Sequence, residues 1–173
     1  MVREFTSGRV YVFIDAANIL YAQQTLGWRV DYQRLKHYFE QECTLGAIYF
    51  YTGRVGNNLK QDAFLAKLRS LGYIVRAKEV KRIHVGRNMY EWKGNLNGEL
   101  IIDAMKHAAG FDTCILMSGD SDFAPLVDEL KAQGKRVIVM SSKHHVSREL
   151  LERAKYANMK KLQGFIEYKK SPS

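Results

Sequence analysis

Two apolar runs in this sequence end in acids. Val10-Tyr11-Val12-Phe13-Ile14 stops at Asp15, with Asn18 shortly after it. Cys114-Ile115-Leu116-Met117 stops at Ser118-Gly119-Asp120, with Asp122 just beyond. Continuous apolar runs of this length read as strands buried on both faces. Carboxylates at the exposed ends of such strands have two uses. They accept hydrogen bonds from the first N–H groups of a following helix, or they gather around a hard divalent cation. A cation held that way activates water and stabilises the leaving oxygen in phosphodiester cleavage. Capping accounts for Asp122, because Pro125 suits a first helical turn. It accounts less well for Asp120, since one cap is enough, and it leaves Asp15 as a coincidence. The expected division has Asp120 facing a cation while Asp122 both starts the helix and flanks the site.

The elements that carry these residues alternate. Strands are expected at Val10 to Ile14, Ala47 to Tyr51, Tyr73 to Arg76, Thr113 to Met117 and Arg136 to Met140. Helices are expected at Ala16 to Gln24, Asp31 to Glu42, Asn57 to Ser70, Gly98 to Ala109, Ser121 to Gln133 and Ser147 to Tyr156. Leu35, Tyr38 and Phe39 face the core in the second helix, and Phe64, Leu65 and Leu68 in the third. Alternation of this kind predicts an α/β fold with a mainly parallel central sheet of about five strands, covered on both faces. Ligands in such sheets bind beyond the carboxyl ends of the strands, near the point where strand order reverses. Asp15 and Asp120 both sit at such ends. One domain is expected over residues 1–173, with a core of about 9–156 and a short basic tail over 157–173.

The chain has 173 residues, 46% of them hydrophobic, with 27 Lys and Arg against 18 Asp and Glu, a net charge of +9. Such an excess favours a polyanionic partner, which gains from counterion release. Residues 77–93 alternate basic and other residues around an expected hairpin tip at Gly86-Arg87-Asn88. Lys81, Arg82, Arg87 and Lys93 are candidates for phosphates, while Trp92 is placed to stack unpaired bases. The structural alternative is a charged hairpin anchored by Trp92. Arg54 after the second strand and Lys143 after the fifth should lie near the same sheet edge. His144 and His145 reach that edge or stay in solvent. Cys43 and Cys114 are not spaced as a metal pair or a disulfide framework. No apolar run is long enough to cross a membrane, and the first residues lack a signal peptide's apolar core. A cytoplasmic location is the expectation, and a homodimer is compatible with the exposed aromatic content.

The pairing of "VFIDAANIL" with "MSGDSDFAPLVDELKAQGKRVIVM" resembles the NYN domain family in its LabA-like (DUF88) branch. The resemblance runs from about Val10 to Ala154. It implies a PIN-like, Rossmannoid three-layer sandwich carrying the basic hairpin as an insertion. It also implies a metal-dependent endoribonuclease, using Mg²⁺ or Mn²⁺ on single-stranded or structured RNA. By the same resemblance Asp15, Asp120 and Asp122 are catalytic and metal-binding acids, and Asn18 and Ser118 line the site. The segment "KGNLNGELIID" departs from the family pattern, because Asn97 stands where the family has an acid; Lys93, Gly94, Leu100 and Asp103 match. Asn97 is thus expected as a weak, uncharged ligand. The departure has three readings: a natural variant with one metal or low activity, Glu99 reaching in as a substitute, or an introduced Asp→Asn change. Asp103 shares a helix face with Glu99 and either lines the site or pairs with Lys106 or His107. Two further classes stand beside the ribonuclease. One is a non-catalytic RNA-binding or regulatory module. The other, a small-molecule phosphatase or nucleotide-binding domain, lacks any Gly-rich phosphate loop.

Overall fold

The computed structural model describes residues 2–86, 89–93 and 95–169. The order of strands and helices is β1 (Arg9–Asp15), α1 (Ala16–Leu26), α2 (Tyr32–Glu42), β2 (Thr44–Arg54), α3 (Leu59–Ser70), β3 (Ile74–Glu79), β4 (Lys81–Gly86), β5 (Met89–Lys93), α4 (Asn97–Lys106), β6 (Thr113–Met117), α5 (Ala124–Ala132), β7 (Arg136–Ser141), α6 (Arg148–Arg153), β8 (Lys155–Asn158) and α7 (Gln163–Ile166). Six strands form one sheet in the order β3-β2-β1-β6-β7-β8, and every neighbouring pair is parallel. β4 and β5 pair antiparallel as the expected hairpin.

Strand order fixes the site. From β1 the chain builds outward to β2 and β3, then returns to lay β6 on the other side of β1 and continues to β7 and β8. The reversal therefore falls between β1 and β6, and the crevice it leaves is the usual ligand position in such sheets. Register brings Ile14 opposite Met117. The next residues, Asp15 and Ser118, emerge together at the carboxyl edge.

Side chains alternate between two cores. Val12, Ile14, Ile48, Phe50 and Met117 pack toward α1, α2 and α3. Phe13, Tyr49, Leu116 and Val139 pack toward α4, α5 and α6. Helix starts follow local chemistry. Asp31 accepts from the N–H groups of Gln33 and Arg34 to open α2. Asn58 does the same for Gln61 in α3, and Ser147 for Leu150 in α6. Gly27, at φ 77°, closes α1 in the left-handed conformation that glycine adopts without a Cβ clash.

The structure departs from expectation at the end of the chain. The helix expected over Ser147 to Tyr156 stops at Arg153, and Lys155–Asn158 forms the sixth strand of the sheet. The open edge of β7 supplies the reason: its N–H and C=O groups need a partner, and β8 provides one from Ile138↔Lys155 to Ser141↔Asn158. Residues 159–167 are no loose tail. Met159, Leu162 and Ile166 are fully buried in the core on the α1–α3 side. Arg34 donates to the carbonyl oxygens of Phe165, Glu167 and Gly164, and Asp31 N–H donates to Ile166 O. A second departure is Phe64, which is 39% exposed although Leu65 and Leu68 beside it are buried. No helix among the described residues is long and apolar enough to cross a membrane.

Candidate active site

Asp15 ends β1 and caps α1, its Oδ1 accepting from Asn18 N–H at 3.3 Å. Its other oxygen accepts from Ser118 Oγ at 2.9 Å. The same hydroxyl oxygen accepts from Asp120 N–H at 3.2 Å. Ser118 is wholly buried and stands 103 positions from Asp15. It therefore ties the ends of β1 and β6 together, fixing the Asp15 carboxylate and the Asp120 backbone. Burial raises the Asp15 pKa above the ordinary carboxylate value; the Ser118 and Asn18 hydrogen bonds oppose that, and the Asp120 charge adds to it.

Asp120, not Asp122, opens the turn that leads into α5. Its Oδ1 accepts from Asp122 N–H at 3.0 Å and begins a 3-10 turn over Ser121–Phe123. α5 then starts with Pro125 in its first turn and no side-chain cap. The expected capping role thus shifts by two residues, because the turn inserted before α5 puts the first free N–H groups within reach of Asp120.

Asn97 completes the cluster. It is the first residue of α4, but it does not serve as a cap. Its Nδ2 donates to Asp120 Oδ2 at 3.1 Å and to Asp122 Oδ2 at 3.3 Å. Carboxylates only accept, so the amide presents its N–H groups to both acids. Among the described residues no group of three or more His, Cys, Asp and Glu side chains is arranged to hold a metal ion. Mg²⁺ typically takes one or two carboxylates and keeps several waters. Asp15 and Asp120 supply that number. The donor set fits a water-rich cation and not a three-carboxylate cage, because an amide N–H stands where a further carboxylate would close it.

The remaining sequence candidates divide. Asn18 faces the crevice, held by Ser141 Oγ at 3.2 Å. Glu99 does not reach in: Lys78 of β3 holds its carboxylate at 2.6 Å and lowers its pKa. Asp103 accepts from Tyr51 Oη at 3.0 Å and Arg76 Nε at 2.9 Å, in place of the expected Lys106 or His107. Arg54 is engaged twice by Asp62, at 2.8 and 2.9 Å. Lys143 is exposed on the turn beyond β7. His145 contacts Thr25 Oγ1 at 2.6 Å, and its carbonyl packs against Gly119 so closely that a Cβ there would lie 1.7 Å away. Arg87 lies outside the described residues, as do the side chains of Lys81, Arg82, Trp92 and Lys93.

Beside the acids is a cavity of about 1110 Å³ whose lining includes Asp15, Asn18, Asn97 and Asp120. Sequence reasoning missed its other residues, among them Trp28, Tyr32, Phe50 and Phe64. The rule that placed Asp15 also reaches Tyr51, its partner across β2, and Thr52 beside it, which line the cavity.

The NYN domain family matches this chain over residues 9–159. The low amplitude and bright protein LabA of Synechococcus elongatus is 35% identical, over 97% of this chain and 92% of that protein. A protein of unknown function from Vibrio parahaemolyticus shares the fold, with a TM-score of 0.72 at 23% identity, over 92% of this chain and 96% of that one.

Proposed function

We propose, on the premise that this chain belongs to the NYN domain family, that it hydrolyses RNA phosphodiester bonds with Mg²⁺ or Mn²⁺ at the edge where Asp15 and Asp120 meet. The family is of nuclease type and RNA-related. One observation carries the reading. A buried serine donates to the Asp15 carboxylate and accepts from the Asp120 backbone N–H, so it ties the ends of two strands distant in sequence at the switch point. Helix capping asks for no such link between strands.

A divalent cation bound there supplies Lewis-acid charge and a water of lowered pKa. The chain's own residues prepare that chemistry. Ser118 holds the Asp15 carboxylate, and Asp122 N–H and the Asn97 amide hold that of Asp120, so little reorganisation remains. Asp15 holds a proton more readily than an ordinary carboxylate, so cation binding there is proton-linked and strengthens as pH rises. Asn97 leaves the cluster one negative charge short of the family pattern. The basic hairpin and the net charge of +9 favour the approach of an RNA strand.

A second reading, an RNA-binding module without cleavage, is favoured by Asn97 alone. Its amide satisfies Asp120 and Asp122 together without a cation. Cleavage of end-labelled RNA with Mn²⁺ or Mg²⁺ separates the two. Wild type, Asn97→Asp and Asp120→Asn are compared, with RNA binding measured in parallel. The nuclease reading expects metal-dependent cleavage by wild type, faster with Asn97→Asp and abolished with Asp120→Asn. No cleavage by wild type or Asn97→Asp, with binding intact, overturns it. Cleavage by Asn97→Asp alone assigns the wild-type chain to the binding module.

A further inference from the structure

The cavity beside the acids has a composition of its own. Among its described lining residues the only charged ones are Asp15, Asp120 and Arg29. Much of the rest is aromatic or a neutral amide. Tyr32 meets Phe50 edge to face at 5.2 Å and Phe64 at 5.6 Å, and Phe50 meets Phe64 at 6.0 Å. These rings brace one another into a wall, yet Phe64 keeps 39% of its surface exposed. Leu20, Tyr21 and Val55 also line the cavity while exposed. Gln23 lends its carbonyl oxygen to Val30 N–H at 2.6 Å, which leaves its amide hydrogens to offer a ligand.

We infer that this cavity receives an unpaired nucleobase of the RNA strand whose phosphodiester lies at Asp15 and Asp120. The inference rests on the RNA reading above and narrows it to single-stranded substrate, since a duplex keeps its bases stacked inside. Three features choose a base over other occupants. The described lining, with Arg29 its single cation, gives a phosphate little to offset its desolvation. Aromatic walls stack bases irrespective of sequence, and neutral amides bond to base edges. Asp15, Asn97 and Asp120 belong to the same cavity, so a strand crossing the acids has its neighbouring base at the opening. The volume of about 1110 Å³ lies just above the range of ordinary ligand pockets, with room for the base and its sugar.

The test is binding, read in chelator so that no cleavage intervenes. A fluorescein-labelled single-stranded oligoribonucleotide is compared with an abasic strand of equal length and with the duplex. Wild type is expected to prefer the base-bearing single strand over the abasic one by roughly five- to a hundredfold, the effect of one stacked base. Phe64→Ala is expected to lose most of that preference and to keep its affinity for the abasic strand. Val55→Glu, at an exposed lining position, is also expected to lose the preference by placing an anionic group in the cavity, and serves if Phe64→Ala fails to fold. Equal wild-type affinity for base-bearing and abasic strands overturns the base pocket and leaves RNA binding standing. A preference untouched by either variant also overturns it, because the base then stacks elsewhere. No binding of any RNA by folded wild type overturns this inference together with the RNA reading.

Discussion

Asn97→Asp exchanges an amide that donates to two carboxylates for a further carboxylate in the same place. The distances, 3.1 Å to Asp120 Oδ2 and 3.3 Å to Asp122 Oδ2, set the scale. At an effective dielectric of about 20, each like-charge pair so close repels by about 5 kcal/mol, and in bulk water by about 1.3 kcal/mol. Asp122 is exposed and Asn97 half-buried, so the watery end of that range governs. Two charge-assisted hydrogen bonds are lost as well, and proton uptake by one acid limits the total. In chelator at neutral pH the variant is expected to lose about 3 kcal/mol. For a chain of this length that lowers the melting temperature by roughly 6–12 °C. The like charges raise the carboxylate pKa values, so the loss shrinks as pH falls and the acids take up protons. A divalent cation at about a hundred times its Kd returns about 2.7 kcal/mol. Thermal melts of wild type and variant, with EDTA and with Mn²⁺, check this. A variant that melts with wild type in EDTA and ignores Mn²⁺ would refute the convergence of these acids on the Asn97 amide.

Ser118→Ala removes the hydroxyl that joins Asp15 to the Asp120 backbone. Urea unfolding at neutral pH should show a loss of about 1.5–3 kcal/mol, smaller at low pH where Asp15 is protonated; a loss independent of pH counts against the link. Gly119→Ala forces the His145 carbonyl away from its present contact, with about 1–3 kcal/mol lost in thermal melts; an unchanged melting temperature contradicts that packing. Burial pushes the Cys43 thiol up to about 11 and the Cys114 thiol up to about 12. Both stay protonated at mildly alkaline pH, so Ellman's reagent should react with neither in the native protein and with both after denaturation.

Much of the acid edge was legible because its signals are local. An apolar run that stops at a polar stretch with an acid marks a strand end, and Asp15 and the Ser118-Gly119-Asp120 stretch each carry that mark. Asn97 was visible as a departure, but its role as a donor to two acids depends on how α4 meets the β6 turn. Partners brought by folding decided the others. Glu99 went to Lys78, Asp103 to Arg76 and Tyr51, and Arg54 to Asp62, and no spacing rule predicts those pairings. Phe64 has helix periodicity in common with Leu65 and Leu68, yet the cavity leaves it uncovered. β8 is four residues long and follows a helix directly. Its identity comes from the unpaired edge of β7 and not from its own propensities.

The clasp of Arg34 on the carbonyls of Gly164, Phe165 and Glu167 has a consequence for biosynthesis. Every strand of the parallel sheet has been made once Asn158 is synthesised, and the acid edge with it. The face beneath α2 is still bare at that moment, because Met159, Leu162 and Ile166 have yet to arrive. A nascent chain stalled or truncated there would carry a formed site over exposed apolar surface, and chains in that condition aggregate. Damage to the last segment should therefore register first as protein lost from the soluble fraction, with the acid edge lost only as a result.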